Sequence, residues 1–276
     1  MDFFGHFARF YMMMKRILSI AAIGGLTISL MGCSPSVRSM GATVMPSPIQ
    51  HKATKADSSN LFIAASGVWG HTGDQYNVKN LDAFGGNLDI TYRFGQSPFF
   101  VSSAFGGFGG SLNFGCDEDF DCDNEYGSKN YRRWLNTQSG KEDYSFWNTQ
   151  ERVLAGLDFN PGPVILGFAG GLQIYQEGGD YGSMREVLDS QLIVDNEDGK
   201  SGMGVLMAYW LGFRFGPNGG SGGSLVMEYD VFHKGTIDDW TSSLKFTYTH
   251  PIGIFAGVGS NSLIDWTLYA GKQFEF

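Results

Sequence analysis

Downstream of residue 33 this 276-residue chain has no run approaching the roughly 20 apolar residues that a membrane-crossing helix requires. If the body of the chain meets a membrane, it does so by another route. Charge is also sparse. Asp, Glu, Lys and Arg make up 17% of residues, and 19 basic against 28 acidic side chains leave a net charge of -9. Binding to a nucleic-acid backbone needs clustered Lys and Arg, so that class of partner is excluded. Cysteine is limited to Cys33, Cys116 and Cys122, too few for a disulfide framework. What the chain does have is glycine (40 residues) and aromatics (15%), with its hydrophobicity dispersed rather than gathered into runs.

That dispersion has a period of two. Phe84, Leu88, Ile90, Tyr92 and Phe94 alternate with Asn87, Asp89, Thr91 and Arg93. Val153, Ala155, Leu157 and Phe159 stand against Gln150, Arg152 and Asp158, and Leu225, Met227, Tyr229 and Val231 against Glu228 and Asp230. Alternation of this kind marks strands with one apolar and one polar face. It recurs in ten segments between Leu61 and Phe276. Glycine-, proline- or asparagine-bearing turns at 95–98, 160–163, 216–223 and 250–251 alternate with longer polar links at 71–83, 115–146, 177–201, 234–240 and 259–264. Trp69, Trp147, Trp240 and Trp266 fall beside the longer links, and Phe94, Phe99, Phe159, Phe215 and Phe276 beside the short ones. Two aromatic girdles are the pattern of a barrel that crosses a membrane.

The last twelve residues, D-W-T-L-Y-A-G-K-Q-F-E-F, alternate and end on an aromatic carboxy-terminus. They resemble the closing strand of small bacterial outer-membrane β-barrels. The resemblance implies an all-β, antiparallel, up-and-down transmembrane barrel in the bacterial outer membrane, of about ten strands (eight or twelve also fit), with long links outside and short turns in the periplasm. Lys272 is the one cation placed on the lipid face by alternation. Snorkelling to the rim or a bulge at Gly271 resolves it.

At the other end, Lys15 and Arg16 precede an apolar run from Ile17 to Met31, the layout of a secretory signal. Leu30-Met31-Gly32-Cys33 resembles the lipoprotein lipobox. By that resemblance residues 1–32 are a signal peptide starting at one of Met12 to Met14, and Cys33 is the acylated first mature residue, carrying palmitate-type chains. Ser34 in place of Asp implies sorting to the outer membrane. The plainer alternative is an ordinary signal peptide with an incidental cysteine. Residues 33–60, rich in Ser, Pro, Lys and Ala, read as a lipidated amino-terminus with a flexible tether. About 27 residues reach on the order of 90 Å, and residues 61–276 are the barrel.

A ten-stranded barrel is filled mainly by side chains, since wide channels need about 16 strands. The inward set includes Asp89, Arg93, Arg152, Asp158, Arg214, Glu228, Asp230 and Lys245, so ion pairs are the expected filling. Cys116 and Cys122, with Cys33 assigned to lipid, form an even pair in an oxidising compartment and suit a short disulfide; the alternative is two exposed thiols. Asp117, Asp119 and Asp121 mimic the first positions of a calcium loop, but Cys122 and Ser128 stand where glycine and glutamate are needed. An acidic solvated loop is the other reading, and no other cofactor is expected. His71 and His233 lie near outer link bases, with Asp74 and Asp238-Asp239 nearby. No motif of outer-membrane proteases or lipid A-modifying enzymes surrounds them, so an enzyme is not the favoured reading. The expected function is a structural or adhesive scaffold, in contact with outer-membrane lipid and presenting 115–146 and 177–201 to an extracellular ligand. A lipid- or peptide-modifying enzyme, a narrow channel and a soluble lipid-anchored β-protein are the alternatives.

Overall fold

The computed structural model describes residues 36–37, 39–51, 60–75, 78–95, 97–114, 143–190, 195–196, 199–216, 221–234 and 240–276. Ten strands make the wall: β1 Leu61–Gln75, β2 Val78–Arg93, β3 Phe99–Phe114, β4 Asp143–Phe159, β5 Val164–Gly178, β6 Ser201–Arg214, β7 Ser224–His233, β8 Trp240–Thr249, β9 Ile254–Asn261 and β10 Trp266–Glu275. Each pairs antiparallel with its sequence neighbour, and β10 closes on β1 with Trp266 opposite His71 and Glu275 opposite Phe62. The sheet is a closed up-and-down barrel. Closure satisfies every backbone ladder internally, the condition for strands that face lipid.

Side chains alternate across the wall as the sequence predicts. Phe84, Val153, Phe168, Met203, Phe246 and Leu268 lie on the outer surface, while Phe62, Arg152, Gln173, Leu206 and Lys245 are buried inside. Trp147, Trp240 and Trp266 are exposed near the long-link end, and Phe94, Phe99, Phe159, Phe215 and Phe276 at the opposite rim. An apolar band between two aromatic rings is the surface of a membrane-spanning barrel. Each of the four short turns carries a glycine at positive φ (Gly95, Gly162, Gly216 and Gly223, Gly253), a conformation that disfavours side chains with a Cβ.

Several expectations are corrected. The polar link 71–83 is mostly strand: β1 runs to Gln75 and β2 resumes at Val78, with His71 opposite Asp82 and Asp74 opposite Lys79. Long and short links therefore do not alternate throughout. Above the membrane both faces of a strand meet polar surroundings or water, so the apolar contrast disappears while backbone pairing continues. The link 177–201 is not featureless either. β5 extends to Gly178, and helix α1, Asp180–Ser190, follows it. Tyr181, Met184 and Arg185 are buried at i, i+3 and i+4 spacing, and Glu186 and Val187 are exposed. Met40, Leu81, Leu112, Tyr144, Phe146 and Leu263 pack with the buried face of α1 into one apolar cluster at the long-link end. Lys272 keeps an unbroken register with Ile254 and Ala65, so no bulge turns it inward. Its ammonium reaches the rim instead and donates to the Ile252 carbonyl.

β4 begins at Asp143, which puts Glu151 at mid-strand. It is exposed and lies opposite Phe105 and Ile174.

Candidate functional site

The largest correction is the tether. Residues Ser39 to His51 do not trail from the barrel; they lie inside it, and all thirteen are buried. The segment descends the lumen in order. Ser39 donates to Glu177, the second-last residue of β5, at 2.6 Å. The Thr43 carbonyl accepts from Gln150 at 2.9 Å and Gln173 at 2.6 Å. Lower down, Ser47 meets Arg152 and Asp89. The Gln50 and His51 carbonyls accept from Arg93, the last residue of β2, and from Gln273 of β10. The chain then rejoins the wall at the short-turn rim, where Asn60 N–H donates to the Phe276 carbonyl at 3.1 Å.

Composition explains why this stretch suits an interior. It carries no Asp, Glu, Lys or Arg, whereas Arg38 and Lys52 flank it. Pro46 and Pro48 lack an N–H that would otherwise be buried without a partner. Extended, thirteen residues span on the order of 40 Å, enough to cross the barrel from rim to rim. Prolines also keep the segment from adding to a β-ladder. Its backbone is satisfied by wall side chains instead. Donors come from Asn148 to Met40 O (3.0 Å), Gln150 to Gly41 O (2.9 Å), Thr241 to Ala42 O (3.2 Å) and Arg152 to Ser47 O (2.9 Å). In the reverse sense the Met45 and Ile49 N–H groups donate to Gln173 at 3.2 Å and to Glu228 at 2.8 Å.

The wall charges form three layers around this segment. At the long-link mouth Glu177 accepts from Arg185 of α1 at 2.9 Å and from Ser39, so the helix and the segment share one carboxylate. Burial pushes the Tyr181 hydroxyl beneath this cap above the ordinary tyrosine range; the charge of Arg185 opposes that rise and Glu177 adds to it. In the middle Arg152 pairs with Asp89 at 3.0 Å, and Lys245 with Glu228 at 2.8 Å and Asp230 at 2.5 Å. Lys245 and Arg152 both donate to the Ser47 carbonyl, and the Ser47 hydroxyl donates to Asp89 at 2.6 Å. Near the short-turn rim Arg93 pairs with Asp158, which also accepts from Trp210 at 3.0 Å and faces His51 at 3.5 Å. Arg214 donates to Asn160 at 2.7 Å. Among the described residues, five buried acids (Asp89, Asp158, Glu177, Glu228, Asp230) face five buried bases (Arg93, Arg152, Arg185, Arg214, Lys245). A buried charge left single is expensive, so an even balance is what a sealed interior requires.

Aromatic rings pack closely against glycines in the lumen. Tyr175 lies against Gly41, where an added Cβ would meet its ring at 2.7 Å, and Trp210 lies over Gly167 at 2.6 Å. One gap beside Pro46, lined by Val68, Gly70, Ala83, Phe108, Ile264 and Thr267, measures about 10 Å³, the room of a single water. All eight inward charges named from the sequence thus stand in the lumen. Sequence reasoning missed Glu177, Arg185 and the occupant itself. The uncharged stretch between Arg38 and Lys52 was the available signal.

His71 lies 3.1 Å from Asp82 and stacks on Trp69, and the His71 and Asp82 side chains are both substantially exposed. His233 packs on Trp240 with ring centroids 4.1 Å apart. Cys33, the Cys116 and Cys122 pair, and the aspartates Asp117, Asp119 and Asp121 lie outside the described residues.

No protein-family model and no curated protein matches the sequence. Solved structures with a similar fold include Neisserial surface protein A, 10% identical with a TM-score of 0.35, the match covering 78% of this chain and 97% of that one. Outer membrane protein OprG from Pseudomonas aeruginosa is 10% identical at a TM-score of 0.36, with 80% and 98% covered. An outer-membrane channel from Pseudomonas putida F1 is 8% identical at 0.39, with 83% and 100% covered. At such identities and scores, function has to be argued from the lumen of this chain itself.

Proposed function

We propose that this protein is an integral barrel of the bacterial outer membrane that does not conduct. It is a scaffold sealed by its own amino-terminal segment, presenting the links that follow β3 and β5 to the outside as an adhesive or ligand-contacting surface. The carrying observation is the buried course of Ser39 to His51, with eight main-chain carbonyls accepting from wall side chains. A permeation path would have to break these bonds. The apolar band with its two aromatic rings supports the membrane assignment. The lipobox-like Leu30 to Cys33 supports the outer membrane in particular.

Planar-bilayer recording tests the sealed state. The purified protein should show no steady conductance, while a variant with residues 40–50 replaced by a Gly/Ser linker should open discrete ionic steps. Steady porin-like current through the unaltered protein overturns the reading. Cell-surface binding compared before and after deletion of 120–140 tests the adhesive part, and equal binding removes it.

A further inference from the structure

The direction of the luminal segment carries a consequence for topology. Ser39 is held by Glu177 at the long-link mouth and His51 lies near Asp158 at the short-turn rim. The chain therefore runs down the lumen toward the periplasmic rim and then turns back up as β1. Beyond the mouth, Ser36 and Val37 pair in parallel with Asp195 and Asn196 of the long link between α1 and β6. That link rejoins the wall at Ser201, opposite Gln176 and one residue above Gly202 and Tyr175.

We infer that the mature amino-terminus of this protein is displayed on the extracellular face, carried there through the lumen of its own barrel. The inference rests on the outer-membrane reading above, with the long links outside. The place of a lipid on Cys33, which the lipobox resemblance implies, follows by covalent reach. Cys33 stands three positions before Ser36, at most on the order of 10 Å of chain. The apolar band of such a barrel is about 25 Å tall. An acyl group on Cys33 cannot recross that distance to the periplasmic leaflet, so it enters the outer leaflet. The protein is then a surface lipoprotein that provides its own passage. The sequence supports a fixed passage rather than a sliding one. The buried stretch is free of charge and bracketed by Arg38 and Lys52, and drawing either into an interior of five acids and five bases would leave an unpaired cation.

Impermeant maleimide labelling of intact cells tests this. Single-site variants are made in the full chain with Cys116→Ser and Cys122→Ser: Ser36→Cys at the amino-terminus, Asn130→Cys in a long link, and Asn218→Cys in a short turn. The parent lacking these reports any label on Cys33 itself. The expected result is labelling at 36 and 130 on intact cells, and at 218 only after the outer membrane is permeabilised. Labelling at 130 but not at 36 until permeabilisation overturns the inference and leaves the barrel's orientation standing. Labelling at 218 but not at 130 on intact cells overturns the orientation itself. If position 36 is shielded in every state, an epitope inserted between Ser34 and Pro35 gives the second reading. Antibody staining of intact cells supports display, and staining only after permeabilisation overturns it.

Discussion

Arg152 donates to the Ser47 carbonyl at 2.9 Å and to its hydroxyl at 3.3 Å, joining the middle of β4 to a residue 105 positions earlier in the chain. The same guanidinium pairs with Asp89, and all three groups are buried. One side chain thus ties the luminal segment to two strands of the wall.

Arg152→Met leaves the Asp89 carboxylate buried without its cation. Breaking one partner of such a pair costs about 3–5 kcal/mol. Ser47→Ala removes a hydroxyl bonded to both charged groups and should cost less, about 1.5–3 kcal/mol. Urea titration followed by heat-modifiable gel mobility should rank them in that order. Equal midpoints would mean that Asp89 is solvated and the lumen is open to water.

Gly41 and Tyr175 form a steric pair. Gly41→Val drives a Cβ into a ring that stands 2.7 Å away, and overpacking of this kind costs about 1–3 kcal/mol. Tyr175→Ala clears the space, so the double variant should recover part of the loss. A positive coupling in the double-mutant cycle is expected for neighbours in contact. Strict additivity would show that Gly41 does not sit against the β5 wall.

Glu151 faces outward at the middle of β4, opposite Phe105 and Ile174. A carboxylate on the lipid face costs less than the roughly 2–4 kcal/mol of a cation at the midplane. Glu151→Leu should therefore raise the unfolding free energy by about 1 kcal/mol and move the urea midpoint upward. A fall instead would mean that Glu151 contacts a second protein there.

Tyr181 lies on the buried face of α1 with its hydroxyl held above the usual range, chiefly by desolvation. The folded state keeps this proton where the unfolded chain, titrating near pH 10, has lost it. The contribution is fully present below about pH 10 and declines as pH rises further toward the folded-state value. Protease susceptibility of the α1 link should increase above that pH in the parent and change less in Tyr181→Phe. Identical alkaline profiles would place the hydroxyl in solvent.

The wall was legible because its signal is local. Asp89, Arg93, Arg152, Asp158, Glu228 and Lys245 point inward because each alternates with an apolar neighbour, and a period of two needs only adjacent residues to be read. The upper hairpin was not legible: Leu81 and Thr72 are buried within a stretch whose outer face meets water, so polarity no longer separates strand from loop. Helix α1 was missed in the same link, although Tyr181, Met184 and Arg185 carry the helical spacing; eleven residues give a short signal inside a polar segment.

The sequence by itself determined the barrel, its strand order and the side of the wall on which each charge stands, since these follow from alternation and from turns that only glycine, proline or asparagine favour. The tertiary structure alone decided what fills the lumen. Ser39 to His51 read as solvated tether because serine and proline have no preference of their own for burial. They become buried only where Asn148, Gln150, Gln173, Arg152, Arg93 and Gln273 converge to satisfy their carbonyls, and those donors come from four separate strands. The direction of passage follows from the same contacts, because Glu177 and Asp158 stand at opposite ends of the wall.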